Sequence, residues 1–306
     1  MANDNTRPFG AVLTAMVTPM HDDGSIDYQS AARIAAHLMD TGHDGIVVSG
    51  TTGESPVTHG PEKVELIHRV REATGGRAFI VAGVGSNDTA HTVRMTKEAT
   101  DAGADGLLLV TPYYSKPSQR GVIRHAQAVA DASDLPIMMY DIPGRVGIRL
   151  APATLDALAE IPTVKGVKDA TGDIYAATQT MARTGLAYYS GDDALNLAFL
   201  THGGAGVVSV AGHVTGSMLR TMIDALDASD LPAARASFIE QIPIVDAIMG
   251  TGLGAVMAKA ACQILGLLPS RHLRLPNVAA TDDEVAQLRT VLVAAGLVDQ
   301  EGSSGE

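Results

Sequence analysis

The stretch Val164-Lys165-Gly166-Val167-Lys168-Asp169-Ala170-Thr171-Gly172 reads as a short strand that ends on a lysine and turns at a glycine. Side chains alternate between the faces of a strand, so residues 166 and 168 share one side and residues 165 and 167 the other. Lys165 is expected to point outward near the strand's start, and Lys168 inward at its C-terminal end. The chain has only six lysines and uses arginine for most of its basic charge. An amine in a partly apolar interior loses proton affinity because water no longer stabilises its charge, and a neutral lysine attacks carbonyl carbon to give a Schiff base. An interior lysine paired with a carboxylate is the other reading this residue allows.

Seven similar apolar, β-branched runs accompany this one. They begin near Ala11 (AVLTAMV), Gly45 (GIVVSG), Ala78 (AFIVAGV), Gly106 (GLLLVTP), Pro136 (PIMMYDI), Ala187 (AYYSG) and Gly206 (GVVSVAG). Helical stretches with recognisable starts and stops lie between them. Asp27 precedes 28–39, which stops at Gly42, and Asp88 precedes 89–102, which stops at Gly103; Pro61 and Pro152 sit where a first helical turn opens. Ile34 and Leu38, and Val64, Ile67 and Val70, recur at the spacing of one buried helix face. Eight βα units of this size close into an α/β fold of the (β/α)₈ TIM-barrel type, roughly 250 residues long. An open doubly wound sheet would carry a Gly-rich dinucleotide fingerprint after its first strand, where this chain has Val17-Thr18-Pro19-Met20-His21.

The barrel, with the active site, is expected to occupy residues 1–230. A C-terminal helical appendage follows over 231–299, with helices at 233–248 (bent by Pro243), 253–267 and 282–295. The tail at 300–306 has nothing to bury and is expected to be disordered.

Composition narrows the function. A hydrophobic share of 46% suits a large buried core, and a formal net charge of −12 without a basic cluster argues against nucleic acid or anionic membrane as partners. Cys262 is the only cysteine, which excludes an intrachain disulfide, and it lies in an apolar stretch that suggests a buried thiol. No run reaches the length of a membrane span and no signal peptide is apparent, so the default location is cytoplasmic. The ten histidines show no metal-binding pattern, and no metal is expected.

The unusual residues gather where strands end, which in such a barrel is the active-site face. They are Gly50-Thr51-Thr52-Gly53-Glu54-Ser55, Tyr113-Tyr114, Tyr140 with Arg145, Lys168, and Gly191-Asp192-Asp193. Tyrosine hydroxyls relay protons, the Thr51-Thr52 turn offers hydroxyls and N–H groups to a carboxylate, and Arg145 suits a bidentate carboxylate contact. Each also has an ordinary reading, as a rim tyrosine, a tight turn or a surface arginine.

Taken together, Gly50-Thr-Thr-Gly-Glu-Ser55, Val110-Thr-Pro-Tyr-Tyr114, Tyr140-Asp-Ile-Pro-Gly-Arg145, Gly166-Val-Lys-Asp-Ala-Thr-Gly172 and Ser190-Gly-Asp-Asp193 resemble the dihydrodipicolinate synthase family. That family lies in the pyruvate-dependent class I aldolase superfamily, which also holds N-acetylneuraminate lyases. The resemblance implies a lyase without cofactor that condenses pyruvate with L-aspartate 4-semialdehyde, a step of diaminopimelate and lysine biosynthesis. It implies Lys168 as the imine-forming residue, Tyr140 as acid/base, and Thr51 and Tyr114 as a hydroxyl relay. Thr52 would help hold pyruvate's carboxylate, Arg145 that of the semialdehyde, and Gly191 and Val208 would complete the substrate site, Val208 by its backbone carbonyl. It also implies a homotetramer, a dimer of dimers in which Tyr114 enters the neighbouring subunit's site. Asp141 and His213 stand where relatives often carry asparagine. Lys63 and His91 differ from lysine-sensitive relatives, which implies weak or absent inhibition by lysine. A keto-sugar-acid aldolase of the same superfamily and a non-catalytic barrel paralogue remain as alternatives.

Overall fold

The computed structural model describes residues 6–250 and 252–299. Eight parallel strands close into a barrel in chain order: β1 (Val12–Ala15), β2 (Gly45–Val48), β3 (Phe79–Gly83), β4 (Gly106–Val110), β5 (Ile137–Asp141), β6 (Val164–Asp169), β7 (Ala187–Ser190) and β8 (Gly206–Ser209). The seam between β8 and β1 pairs Val207 with Val12 and Val208 with Leu13. Strands covered on both faces need apolar residues throughout, and only alternation decides which way each side chain goes. Leu13, Val47, Leu108, Met138, Tyr189 and Val208 fill the barrel, while Ile46, Val48, Leu107, Leu109, Met139 and Val167 pack under the helices. Phe9 closes the end at the strand starts, edge-on to Phe79 and Tyr189 with ring centroids 5.8 and 5.7 Å apart.

The outer helices are α1 (Tyr28–Asp40), α2 (Gly60–Thr74), α3 (Thr89–Asp101), α4 (Gln119–Ala130), α5 (Pro143–Val146), α6 (Pro152–Ala159), α7 (Ile174–Thr184), α8 (Asn196–Thr201) and α9 (Gly212–Asp227). Their starts follow the chemistry of orphan N–H groups. Asp27 caps α1 by accepting the Ser30 N–H at 2.9 Å, Asp88 caps α3 through Ala90, and Ser118 caps α4 through Gly121. Pro152 opens α6, where its missing N–H costs nothing.

Beyond the barrel come α10 (Leu231–Met249), α11 (Gly254–Ile264) and α12 (Asp282–Ala294). Pro243 stands inside α10, which continues through it. The second of these helices ends three residues before the expected Leu267, because Gly266 turns the chain with φ +72°. Ile244, Ile248, Ala258, Cys262 and Leu288 from these helices belong to the same contiguous apolar cluster as the barrel's shell, so the segment is packed on the barrel. No single helix among the described residues is long and apolar enough to cross a membrane; α10 and α11 meet that measure only together, across a bend of 112°. The tail at 300–306 lies outside the described residues.

Candidate active site

β5 and β6 set Tyr140 and Lys168 side by side as register partners, both facing the barrel interior. The Lys168 ammonium lies 4.4 Å from the centroid of the Tyr140 ring. Only 4% of Lys168 is exposed. Burial pulls its pKa down to about 8, with Asp193 opposing the fall and Arg145 adding to it. Burial also pushes the Tyr140 hydroxyl up to about 12, against the Arg145 charge and a hydrogen bond with Thr51. One interior therefore holds an amine that can be neutral beside a hydroxyl that keeps its proton.

Two neighbours fix the lysine. A Cβ at Gly191 would stand 3.0 Å from both Cγ and Cε of Lys168 and 2.9 Å from the Asp169 carbonyl oxygen. Gly191 contributes by leaving room for the lysine stem. Asp193, named in the sequence only as part of a motif, is buried with a carboxylate held from several sides. Oδ1 accepts from the Ser209 hydroxyl at 2.5 Å and the Asn196 amide at 3.2 Å; Oδ2 accepts from the Val210 and Ala211 N–H groups, both at 2.9 Å. It is a fixed negative charge toward Lys168 that cannot swing onto the amine without breaking four hydrogen bonds.

Above this pair opens a cavity of about 410 Å³, lined by Thr51, Tyr113, Tyr114, Tyr140 and Arg145 among others. Arg145, on the short α5, is exposed and pairs with no carboxylate among the described residues. Tyr114 is 88% exposed with φ +70°. Thr52, Lys168, Gly191 and Val208 are not part of the cavity wall. Lys168 meets it across the Tyr140 ring, Thr52 is buried, and Val208 is fully buried among the residues that fill the barrel.

The walls are strained. Ser49 and Glu54 in the loop after β2, and Tyr114 and Lys116 in the loop after β4, have left-handed backbones without being glycine. Such conformations cost roughly 1–3 kcal/mol each and persist where the surroundings over-determine them, as they do at functional sites. Lys63 of α2 is buried and donates to the Ser55 hydroxyl at 3.0 Å, burial lowering its pKa. His213 accepts the Val17 N–H on Nε2 at 3.1 Å and donates from Nδ1 to the Val210 carbonyl at 2.8 Å. It bridges the chain just beyond β1 and β8, so its ring serves structure. Burial holds it well below the usual imidazole range, at about 4, and therefore neutral. Among the described residues no three or more His, Cys, Asp or Glu gather as a metal site. A larger groove of 910 Å³ opens at the opposite end of the barrel, but the functional assignment follows chemistry and not size. That groove's cation Arg7 is bonded to Asp227, and its Lys165 points to solvent.

Known proteins resemble this chain in sequence and in fold. The model of the dihydrodipicolinate synthetase family matches residues 8–295. A 4-hydroxy-tetrahydrodipicolinate synthase of Bifidobacterium longum is 48% identical over 96% of this chain and 97% of its own length. One from Kineococcus radiotolerans is 50% identical over 95% of this chain and 94% of its own. Among solved structures, the lysine-bound dihydrodipicolinate synthase of Cyanidioschyzon merolae superposes with a TM-score of 0.91 at 39% identity, over 95% of this chain and all 100% of that one. A pyruvate complex of the Acinetobacter baumannii enzyme gives 0.90 at 32% identity, over 95% of this chain and 100% of that one. With eight strands, a buried lysine and a family match over nearly all of its length, the chain belongs to the dihydrodipicolinate synthetase family.

Proposed function

We propose that this protein is a 4-hydroxy-tetrahydrodipicolinate synthase, which joins pyruvate to L-aspartate 4-semialdehyde through an imine on Lys168. The observation that carries the reading is the buried Lys168 amine, lowered to about 8, over the Tyr140 ring. The neutral amine attacks the pyruvate carbonyl carbon; Tyr140 protonates the departing hydroxyl, and water leaves as the imine forms. Loss of a methyl proton turns the imine into an enamine, whose carbon attacks the aldehyde. The amine of the semialdehyde then attacks the re-formed imine carbon, closing the ring and expelling the Lys168 amine. Thr51, within hydrogen-bond reach of Tyr140, and Tyr114 on the cavity rim carry protons between this centre and solvent. The Thr51-Thr52 turn holds pyruvate's carboxylate and Gly191 leaves room for Lys168, while Val208, buried below the cavity wall, would reach the substrate only through its backbone carbonyl.

Arg145 takes the carboxylate of the semialdehyde. A guanidinium exposed to a cavity and without a protein carboxylate is available for a substrate's. The reaction requires no cofactor, and we place it in the cytoplasm, in a homotetramer built as a dimer of dimers.

Borohydride added with pyruvate is expected to fix the pyruvate carbons onto the peptide containing Lys168, and Lys168→Ala to abolish both labelling and condensation. Labelling at another lysine would overturn the reading. Arg145→Ala is expected to weaken use of the semialdehyde by about 100-fold or more while leaving borohydride labelling intact. Equal loss of both would make Arg145 structural.

A further inference from the structure

Lys259 is buried more deeply than Lys168 or Lys63. Lys259 of α11 and Glu54 of the loop after β2 form an ion pair at 2.5 Å with both side chains 0% exposed. Each partner makes one further hydrogen bond. Lys259 also donates to the His272 carbonyl at 2.6 Å, and the second carboxylate oxygen of Glu54 accepts the Arg274 N–H at 3.0 Å. Glu54 itself holds a left-handed backbone, φ 57°. The turn it closes is pinned from the barrel side as well. Thr18 donates to the Gly53 carbonyl at 2.7 Å, the Glu54 N–H to Thr51 at 3.1 Å, and the Ser55 N–H to Gly50 at 3.1 Å.

Two charges stripped of water are costly unless they are paired and hydrogen-bonded, so such a pair is a weak choice where stability alone is needed. Apolar residues were available: Ala258, Ala260, Ala261 and Cys262, all buried, surround Lys259 on its own helix. What the pair supplies is one fixed geometry, and what it fixes is the turn bearing Thr51 and Thr52. We infer that Lys259 is a positioning residue for the reaction, reaching from the C-terminal helices through Glu54 to hold the Thr51-Thr52 turn in the shape that receives pyruvate's carboxylate. The inference rests on the assignment of that turn to pyruvate made above. It gives the helices beyond the barrel a part in catalysis without contact with substrate.

The test uses the full chain and reads both Michaelis constants, kcat and the folded fraction by circular dichroism. Lys259→Met is expected to raise the KM for pyruvate about ten-fold, since small displacements of binding groups are costly, and to leave that for the semialdehyde within about two-fold. Borohydride at saturating pyruvate still labels Lys168. A purely structural lysine would instead lower the folded fraction and apparent kcat with both KM values unchanged, which overturns the inference. If Lys259→Met yields no folded protein, the double variant Glu54→Gln/Lys259→Met, which buries no unpaired charge, is read the same way; a wild-type KM for pyruvate there is equally fatal. Thr52→Val separates the two levels. If it raises the pyruvate KM while the Lys259 variants do not, only the inference fails. If it leaves the pyruvate KM unchanged, the assignment of the turn fails and the inference falls with it.

Discussion

Lys168 and Tyr140 share an environment that moves their proton affinities in useful directions. Burial disfavours the charged form of each, so the amine falls to about 8 and the phenol rises to about 12. The nucleophile is the neutral amine, so the rate of pyruvate capture in a single turnover is expected to rise with pH up to about 8 and level above it. Tyr140→Phe should lower kcat by about 100-fold or more across that range. A capture rate independent of pH between about 6 and 9 would mean that Lys168 is already neutral and not controlled by burial. At this scale much of the site was legible in the sequence. Lys168, Tyr140, Thr51 and Arg145 stand at strand ends in a chain with few lysines and tyrosines. Lys259 was not legible, because a lone lysine on an apolar helix face gives no sign of the partner 205 positions away that makes it buried. In the sequence Lys63 is only a difference from lysine-sensitive relatives; packing reveals that its ammonium is bonded to Ser55.

Strand pairing brings a second set of groups into register one residue beyond Tyr140 and Lys168. Asp141 ends β5, Asp169 ends β6, and the two are direct partners on the outward face, since each follows an inward residue. Burial pushes Asp141 up to about 7, the Asp169 charge adding to the effect, and Asp169 is raised as well. Asp141 accepts only a long hydrogen bond, from the Leu150 N–H at 3.3 Å, and its Oδ1 has no partner. Arg149 acts on both carboxylates but is bonded to Asp173. The folded pKa of Asp141 exceeds the unfolded value, so the folded state binds the proton more tightly. Its contribution to stability is fully present below about pH 4 and is lost as the pH rises to about 7. Asp141→Asn removes the charge at constant shape and is expected to stabilise the protein by about 1–3 kcal/mol near pH 8, with the gain shrinking as the pH is lowered toward 4. Thermal unfolding at the two pH values checks this, and an equal loss of stability at both would show that the carboxylate makes a contact an amide cannot. The strands themselves were readable to within a residue of their starts, because fully buried parallel strands leave continuous apolar runs between turns. The end of α11 was less so: its apolar spacing continues past the point where Gly266 turns the chain. The pairing of Asp141 with Asp169 depends on the shear of the closed barrel, which no single strand encodes.

The molecule as a whole carries a formal net charge of −12 and handles anionic substrates, so long-range attraction does not help it and local cations must supply the complementarity. The same logic bears on regulation. Lysine as an effector brings an ammonium, and Lys63 already stands near Ser55 with its charge buried and no carboxylate bonded to it. Inhibition titrations below saturating pyruvate are expected to show no half-inhibition at submillimolar lysine. The proposed assembly bears on Tyr114. The loop after β4 holds it in a strained backbone at the cavity rim, yet 88% of the residue is uncovered within its own subunit. Strain of this kind persists only when something rewards it, and a hydroxyl relay needs a tyrosine screened from bulk water. A second copy of the chain meets both needs if each subunit's tyrosine crosses into the other's cavity. Tyr114→Phe and Lys168→Ala are each expected to be nearly inactive alone. A hybrid dimer then contains one cavity with both the lysine and the tyrosine intact and another with neither. Mixing the two proteins under conditions of subunit exchange should therefore restore activity, up to about a quarter of the wild-type level for equal amounts pairing at random, since half the dimers are hybrid and each has one working site. Native mass spectrometry can establish that hybrids have formed. If hybrids form and the mixture stays inactive, Tyr114 serves the cavity of its own subunit.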